Sequence, residues 1–267
     1  MNLLEAIILG IIQGATEFLP VSSSGHLLLL PSLFNIPVPS LSVAAVVHEG
    51  TLLAVLIYFR RDLLQIVRAV WAGTVQRQPL ATEDSRLGWY IAVGSIPAAV
   101  AGLTLESSFE RIFGTPSYAA VFLLGTALIL FVGERLLSGK KTVAEMGWSD
   151  ALMIGIAQMM ALLSGISRSG STIAAGLWRG LDRTAAARYS FLLGVPAILG
   201  AGVLAMVDFA GMDDIVSQLP VLFASFLSAA VTGYICIHFL LGWLRRHTLY
   251  GFAAYCAVFG IVYLVIQ

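Results

Sequence analysis

Apolar residues run through this chain in long blocks, without the alternation of a half-buried strand or the one-sided stripe of a soluble helix. Six blocks approach the roughly 20 residues that a helix needs to cross the hydrocarbon core of a bilayer: 42–59, 89–105, 117–134, 189–207, 220–242 and 250–266. Two further apolar stretches do not read as spans. Each is interrupted by a Ser/Gly loop, Pro20-Val-Ser-Ser-Ser-Gly25 in one and Ser164-Gly-Ile-Ser-Arg-Ser-Gly170 in the other, with short apolar arms on either side. They read as re-entrant helical hairpins. Irregular backbone at membrane depth is tolerated only where protein or a water-filled cavity satisfies it, so both loops are expected to face an interior cavity.

The two broken stretches are copies of one another. Laid together without a gap, Glu5–His26 and Asp150–Ser171 agree at Ala6/Ala151, Gly10/Gly155, Ile11/Ile156, Gln13/Gln158, Ser22/Ser167, Ser24/Ser169 and Gly25/Gly170, 7 of 22 positions. Charge placement then orients them. With six spans and two hairpins, Arg60, Arg61, Arg68, Arg77, Arg86, Arg135, Lys140, Lys141, Arg179, Arg183, Arg188, Arg245 and Arg246 all fall on one side, leaving Arg111 and Arg168 elsewhere. By the positive-inside rule that side is cytoplasmic. The opposite connections carry Glu106, Glu110, Asp208, Asp213 and Asp214. The hairpins then enter from opposite sides, which makes the halves inverted-topology repeats. The expected fold is an all-α polytopic membrane protein with six transmembrane helices and two re-entrant helical hairpins. It forms one integral membrane domain over 1–267, with repeat 1 at about 1–115 and repeat 2 at about 116–267. The polar stretch 60–88 is expected to be a partly helical cytoplasmic connection, and Trp89, Tyr90 and Tyr250 to be interface anchors.

Composition agrees with a membrane protein: 58% of residues are hydrophobic, 11% are charged and the mean hydropathy is +0.90, against about 25% charged in a soluble domain. A formal net charge of zero gives no field that would favour nucleic acid. Cys236 and Cys256 lie in apolar runs, so neither a disulfide nor a thiolate metal site is expected. The N-terminus MNLLEAIILG lacks the basic start of a cleaved signal peptide.

Ionisable groups at membrane depth are costly and mark functional sites by default. Here they are Glu17, His26, His48, Glu49 and Arg168. Glu17 follows Gln13 by one helical turn, so both face the same way. A carboxylate and an amide oxygen so placed can hold a hard divalent cation, magnesium or calcium, with water and phosphate completing the shell; the alternative for Glu17 is a structural ion pair with Arg168. The first loop offers Ser22, Ser23, Ser24 and Gly25 ahead of a helical arm beginning at His26, an anion-binding arrangement. The second repeats it with Ser167, Ser169, Gly170 and Thr172 and adds the Arg168 guanidinium, suited to phosphate oxygens. His26 can serve as base for a seryl nucleophile, for which Ser23 is the candidate, or as acid to a leaving oxygen, with His26 itself or a water as the alternative nucleophile. His48 and Glu49 are candidates for the pocket wall. Complementary charges on the two loops point to one composite phosphate site. An intramembrane phosphatase answers to this pattern, and so does a secondary transporter or lipid flippase, which uses the same broken helices.

The strings QGATEFLPVSSSGH, Gln13 to His26, and SGISRSGST, Ser164 to Thr172, resemble the two signature motifs of the undecaprenyl-diphosphate phosphatase, or bacitracin-resistance, family. The resemblance covers the whole chain in length, hydropathy and motif position. It implies removal of the terminal phosphate of undecaprenyl diphosphate, recycling the carrier lipid of cell-wall synthesis. It also implies a divalent cation and a site in the bacterial inner membrane open to the outer, periplasmic side. By motif, Gln13 and Glu17 match the acidic pair, Ser23 and His26 the catalytic loop, and Arg168 with Ser167, Ser169 and Thr172 the phosphate-gripping loop. Three departures stand out: Ser164 precedes Gly165 where the family usually has proline, Gln13 stands where some members have glutamate, and Glu49 after His48 is unusual for the family. The expected partners are a polyprenyl diphosphate and the surrounding lipid, with no nucleic acid and a homodimer as candidate assembly.

Overall fold

A computed structural model of the chain describes residues 1–34, 39, 41–113, 115–137, 139–209 and 215–267, with backbone alone at 41–42, 106–113, 204–209 and 215–217. The order of helices is α1 (Leu3–Phe18), α2 (Ser23–Phe34), α3 (Leu41–Tyr58), α4 (Arg60–Val75), α5 (Glu83–Phe113), α6 (Pro116–Arg135), α7 (Trp148–Met160), α8 (Arg168–Trp178), α9 (Arg183–Phe209), α10 (Ile215–Leu244) and α11 (Tyr250–Ile266), with one 3-10 turn at Val143–Glu145. Among the described residues there is no strand, only an isolated bridge between Lys141 and Leu181.

Among the described residues four segments are long and apolar enough to cross a membrane: Glu83–Leu105, Pro116–Arg135, Arg183–Val203 and Gln218–Leu244. A fifth is reached if α3 and α4 count as one unit, though they are bent by 79°. The apolar α11 has 17 residues, about 26 Å at 1.5 Å per residue, a little short of the hydrocarbon thickness. All six expected blocks thus lie on helices, four of which meet the length criterion alone. The broken stretches are α1–α2 and α7–α8, with 16, 12, 13 and 11 residues, none long enough to span by itself. The connection 60–88 is partly helical, made of α4 and the start of α5.

The glycines shared by the two broken stretches have a packing reason. α1 packs along α10, and α7 along α5. At the first contact a Cβ on Gly10 would lie 2.3 Å from the Ser225 carbonyl oxygen; at the second a Cβ on Gly155 would lie 2.2 Å from that of Gly94. The matched glycine in each copy lets a short helix press on the backbone of a long one.

Ion pairs fasten the arginine-rich end. Arg183 pairs with Glu134, which also accepts from the Leu249 N–H at 2.9 Å; Arg179 meets Asp150 at 2.7 Å and Arg188 meets Asp62. Tyr90 does not reach an interface: it is 6% exposed, and its carbonyl accepts from the Tyr189 hydroxyl at 2.8 Å. Its position near the start of α5 is sheltered by packing on Trp148, 4.9 Å between ring centroids, which the sequence position alone could not reveal. Asp213 and Asp214 lie outside the described residues, and so do the side chains of Glu106, Glu110, Arg111 and Asp208.

Candidate active site

The serine loops end in two helix caps built alike. In the first, the Ser22 hydroxyl accepts from the Gly25 N–H at 3.3 Å and lies 3.4 Å from the Ser24 hydroxyl, while the Ser22 carbonyl accepts from the His26 N–H at 3.2 Å. In the second, the Ser167 hydroxyl accepts from the Gly170 N–H at 3.0 Å and lies 3.3 Å from the Ser169 hydroxyl, and the Ser167 carbonyl accepts from the Ser171 N–H at 2.8 Å. Within the loops, the three pairs that agree, Ser22/Ser167, Ser24/Ser169 and Gly25/Gly170, are the ones that make the cap. Helix α2 begins at Ser23, three residues earlier than the arm expected from His26, so the hydroxyls belong to its first turn. Ser22 takes a left-handed φ of 71°, a conformation that costs a non-glycine residue free energy and is tolerated where surrounding bonds enforce it.

Beyond these caps, the N–H groups of Ser23, Ser24, Arg168 and Ser169 have no partner among the described residues. The two helix starts are in contact: the Ser169 hydroxyl donates to the Leu19 carbonyl at 3.2 Å, and Gly25 sits against Gly165. Two positive dipole ends therefore converge at one place.

Ser23 and Arg168 occupy equivalent first positions of α2 and α8, and both reach the same carboxylate. Glu17 Oε2 accepts from the Ser23 hydroxyl at 2.7 Å and from Gln13 Nε2 at 3.0 Å; Oε1 accepts from Arg168 Nη2 at 2.6 Å. His48 Nε2 stands 3.8 Å from Oε2, with His48 Nδ1 donating to the Ala44 carbonyl at 2.7 Å. The carboxylate is buried, and so is Gln13, whose Oε1 has no hydrogen-bond partner among the described residues. Arg168 Nη1 also donates to the Ser190 carbonyl at 3.2 Å. Among the described residues two of its five N–H groups are then used.

His26 is not where the Ser23–His26 pairing would put it. Its Nδ1 lies 2.8 Å from the Ser22 carbonyl and so carries the proton; its Nε2, 2.8 Å from the Tyr255 hydroxyl, accepts. The ring stacks on Tyr255 and Phe259 of α11, at centroid distances of 5.7 and 5.0 Å. Among the described residues no hydrogen bond joins Ser23 to His26. One helical turn separates them, and the cap geometry turns Ser23 toward α1 and His26 toward α11. Glu49 is likewise apart from Glu17: its Oε1 packs over Gly202 of α9 and has no hydrogen-bond partner among the described residues.

Of the remaining expected residues, Thr172 donates to the Arg168 carbonyl at 2.8 Å and shares a 2.6 Å bond with the Ser190 hydroxyl; it holds α8 to α9. Four residues escaped the sequence reading. Thr126 accepts from the Ser167 N–H at 2.9 Å and donates to the Gly165 carbonyl at 2.8 Å, fixing the second loop. Ser190 and Gly194 form the floor under Arg168, and Tyr255 holds His26. Polar residues inside the blocks 117–134, 189–207 and 250–266 were the only signal available for Thr126, Ser190 and Tyr255.

For a metal, the donors are oxygens: the unpartnered Gln13 Oε1, the Glu17 carboxylate and the Ser23 hydroxyl. Among the described residues no group of three or more His, Cys, Asp or Glu side chains forms a cluster. Such a set suits a hard cation only if most of its shell comes from elsewhere.

An all-helical membrane protein whose broken helices bring capped N-termini, an arginine and a serine to one buried carboxylate is, as a class, a polytopic membrane protein with a buried polar cluster between two helix starts. Its relatives specify the family. The model of the bacitracin resistance protein BacA family matches residues 6–262. An undecaprenyl-diphosphatase of Chlorobaculum tepidum is 44% identical over 98% of this chain and 95% of its own length. One of Thermomicrobium roseum is 44% identical over 100% and 98%, and one of Methanosphaera stadtmanae 40% identical over 100% and 99%. The chain belongs to the BacA family.

Proposed function

We propose that this protein hydrolyses undecaprenyl diphosphate to undecaprenyl phosphate and inorganic phosphate within the membrane. The relatives' shared name supplies the substrate. The observation that carries the reading is the convergence of the Ser23 hydroxyl and the Arg168 guanidinium on Glu17 between two helix N-termini.

The terminal phosphate is held by the free N–H groups of Arg168 and by the unpaired backbone N–H groups of Ser23, Ser24, Arg168 and Ser169. These donors are in place before substrate arrives, so they stabilise charge on the transferring phosphoryl without rearrangement. Ser23 attacks phosphorus; its proton passes to Glu17 Oε2, 2.7 Å away, as the bond to the bridging oxygen breaks and undecaprenyl phosphate leaves with its electron pair. Water then cleaves the phosphoseryl bond and releases phosphate. Glu17, not His26, is the base in reach of Ser23. His26 acts on the loop, holding the Ser22 carbonyl and α11 together. A magnesium or calcium ion, held by Gln13 Oε1 and Glu17 and by oxygens of the diphosphate itself, would supply further charge neutralisation.

We also read the fold as six spans and two re-entrant hairpins in inverted repeats. Exchanging α1 with α7, α3 with α9, α5 with α10 and α6 with α11 turns the α1–α10 contact into the α7–α5 contact and the α3–α10 contact into the α9–α5 contact. That exchange supports a division after Arg135, the end of α6, later than the boundary near 115 expected from sequence. With thirteen basic residues on one side of that topology, the positive-inside rule supports a cytoplasmic placement of that side, and the family resemblance implies a bacterial inner membrane with the site open to the periplasm.

Purified protein in detergent, given undecaprenyl diphosphate and magnesium or calcium, is expected to release inorganic phosphate, and Arg168→Ala to abolish the release. Movement of the lipid across liposomes without phosphate release would overturn the reading in favour of a flippase. Cross-linking in native membranes tests the homodimer.

A further inference from the structure

The corner between α3 and α4 carries a second charged site that hydrolysis does not use. The two helices are bent by 79°, so α4 crosses the end of the bundle instead of continuing through it. Ile66, Val70 and Gly73 face the start of α5, where Gly88 lies against Ile66 and Val70 and Gly73 against Ser85. On another face Leu64, Val67, Trp71 and Val75 recur every three or four residues and are 55–73% exposed. Arg60 heads this stripe one turn before Leu64, and the exposed Arg61 and Arg68 border it. An apolar stripe edged by arginines, on a helix lying across the span ends, suits the bilayer interface.

At the head of the stripe Arg60 and Arg61 join Tyr58, Asp62, Tyr234 and His238 around an open cavity of about 390 Å³. The Asp62 carboxylate is engaged by Arg188. The Tyr58 ring lies tilted against that of Tyr234, 5.3 Å between centroids, and its hydroxyl is 3.5 Å from His238 Nδ1. Among the described residues Arg61 has no ion-pair partner, and Arg60 makes only a 3.4 Å bond to the Ile57 carbonyl. The cavity therefore holds uncompensated positive charge between aromatic walls, at the level where span ends meet water.

We propose that this cavity binds the phosphate headgroup of an anionic phospholipid from the arginine-side leaflet, whose acyl chains lie along Leu64, Val67 and Trp71. The continuity of Arg60 with the apolar stripe is what selects a lipid over free phosphate, which has no use for the stripe. The site is independent of the phosphatase reading.

The test is native mass spectrometry of the delipidated full-length protein titrated with phosphatidylglycerol or phosphatidylcholine. The wild type is expected to retain phosphatidylglycerol preferentially. The Arg60→Gln/Arg61→Gln variant should lose roughly thirtyfold in that affinity, about fivefold for each arginine, and the Arg60→Lys/Arg61→Lys variant should keep most of it. If the double glutamine variant does not fold, Arg61→Gln alone is expected to lose about fivefold. Equal retention of the two lipids, an unchanged preference in the glutamine variants, or displacement of phosphatidylglycerol by millimolar inorganic phosphate would each overturn the proposal.

Discussion

Gly194→Ala is a small change with a calculable effect on the site. A Cβ at this position of α9 would lie 2.1 Å from Arg168 Nη1, 2.7 Å from Cζ and 2.9 Å from Nη2. Ordinary contact needs about 3.5 Å, so the guanidinium must retreat by about 1.4 Å. It is the free end of a long side chain, and it yields before either backbone does. The retreat strains both the 2.6 Å bond to Glu17 and the 3.2 Å bond to the Ser190 carbonyl. A misplacement of about 1 Å at a positioning group costs about 100-fold in rate, about 2.7 kcal/mol in the barrier. Gly200→Ala is the matched control: it lies on the same helix, and a Cβ there meets nothing within 4 Å. Both changes favour the helix intrinsically, so loss of fold does not account for a difference between them. Phosphate release from undecaprenyl diphosphate by purified variants of equal thermal stability gives the comparison. Gly194→Ala is expected to fall about 100-fold and Gly200→Ala to match the wild type. Activity of Gly194→Ala within twofold of the wild type would refute the placement of Arg168 in the reaction.

Glu17→Gln removes both the proton acceptor of Ser23 and the charge facing Arg168, and steady-state turnover should drop by a factor of about 100 or more; Glu5→Gln, in the exposed cap of α1, should leave turnover intact. Thr126→Val strands the Ser167 N–H while removing the donor to the Gly165 carbonyl, and is expected to cost about 2 kcal/mol, read as a lower unfolding temperature in detergent. Tyr255→Phe leaves the buried His26 Nε2 without its partner, and should lower the unfolding temperature by an amount equivalent to about 1–3 kcal/mol while reducing turnover less than Glu17→Gln does. Chelation by EDTA should stop phosphate release and added magnesium or calcium restore it; full turnover in EDTA would remove the cation from the scheme.

The apolar blocks, the two interruptions and the match between copies were legible along the chain because each is a property of neighbouring residues. A run of apolar side chains must be a helix in lipid, and a Ser/Gly break within it must stop one. Likewise Glu17 and Arg168 were conspicuous, since charge at membrane depth is too costly to be incidental. The pairing of Ser23 was not legible. Ser23 and His26 are one turn apart, which suggests that they meet; yet Ser23 turns to Glu17 on α1 and His26 to Tyr255 on α11. The direction depends on the angle at which α2 leaves Ser22, itself in a left-handed conformation.

The sequence by itself determined that the chain lives in a membrane, that it carries two related broken helices, and which charged residues had to be satisfied between them. Tertiary structure alone decided who satisfies whom. Thr126, Ser190, Gly194 and Tyr255 enter the site from helices far away in the chain, and the angle of 79° at which α4 turns away from α3 is set by packing, although the end of the apolar block at 59 marks where the turn falls. Helix type follows from local chemistry, whereas the meeting of one carboxylate with a serine and an arginine 145 positions apart follows from how whole helices pack.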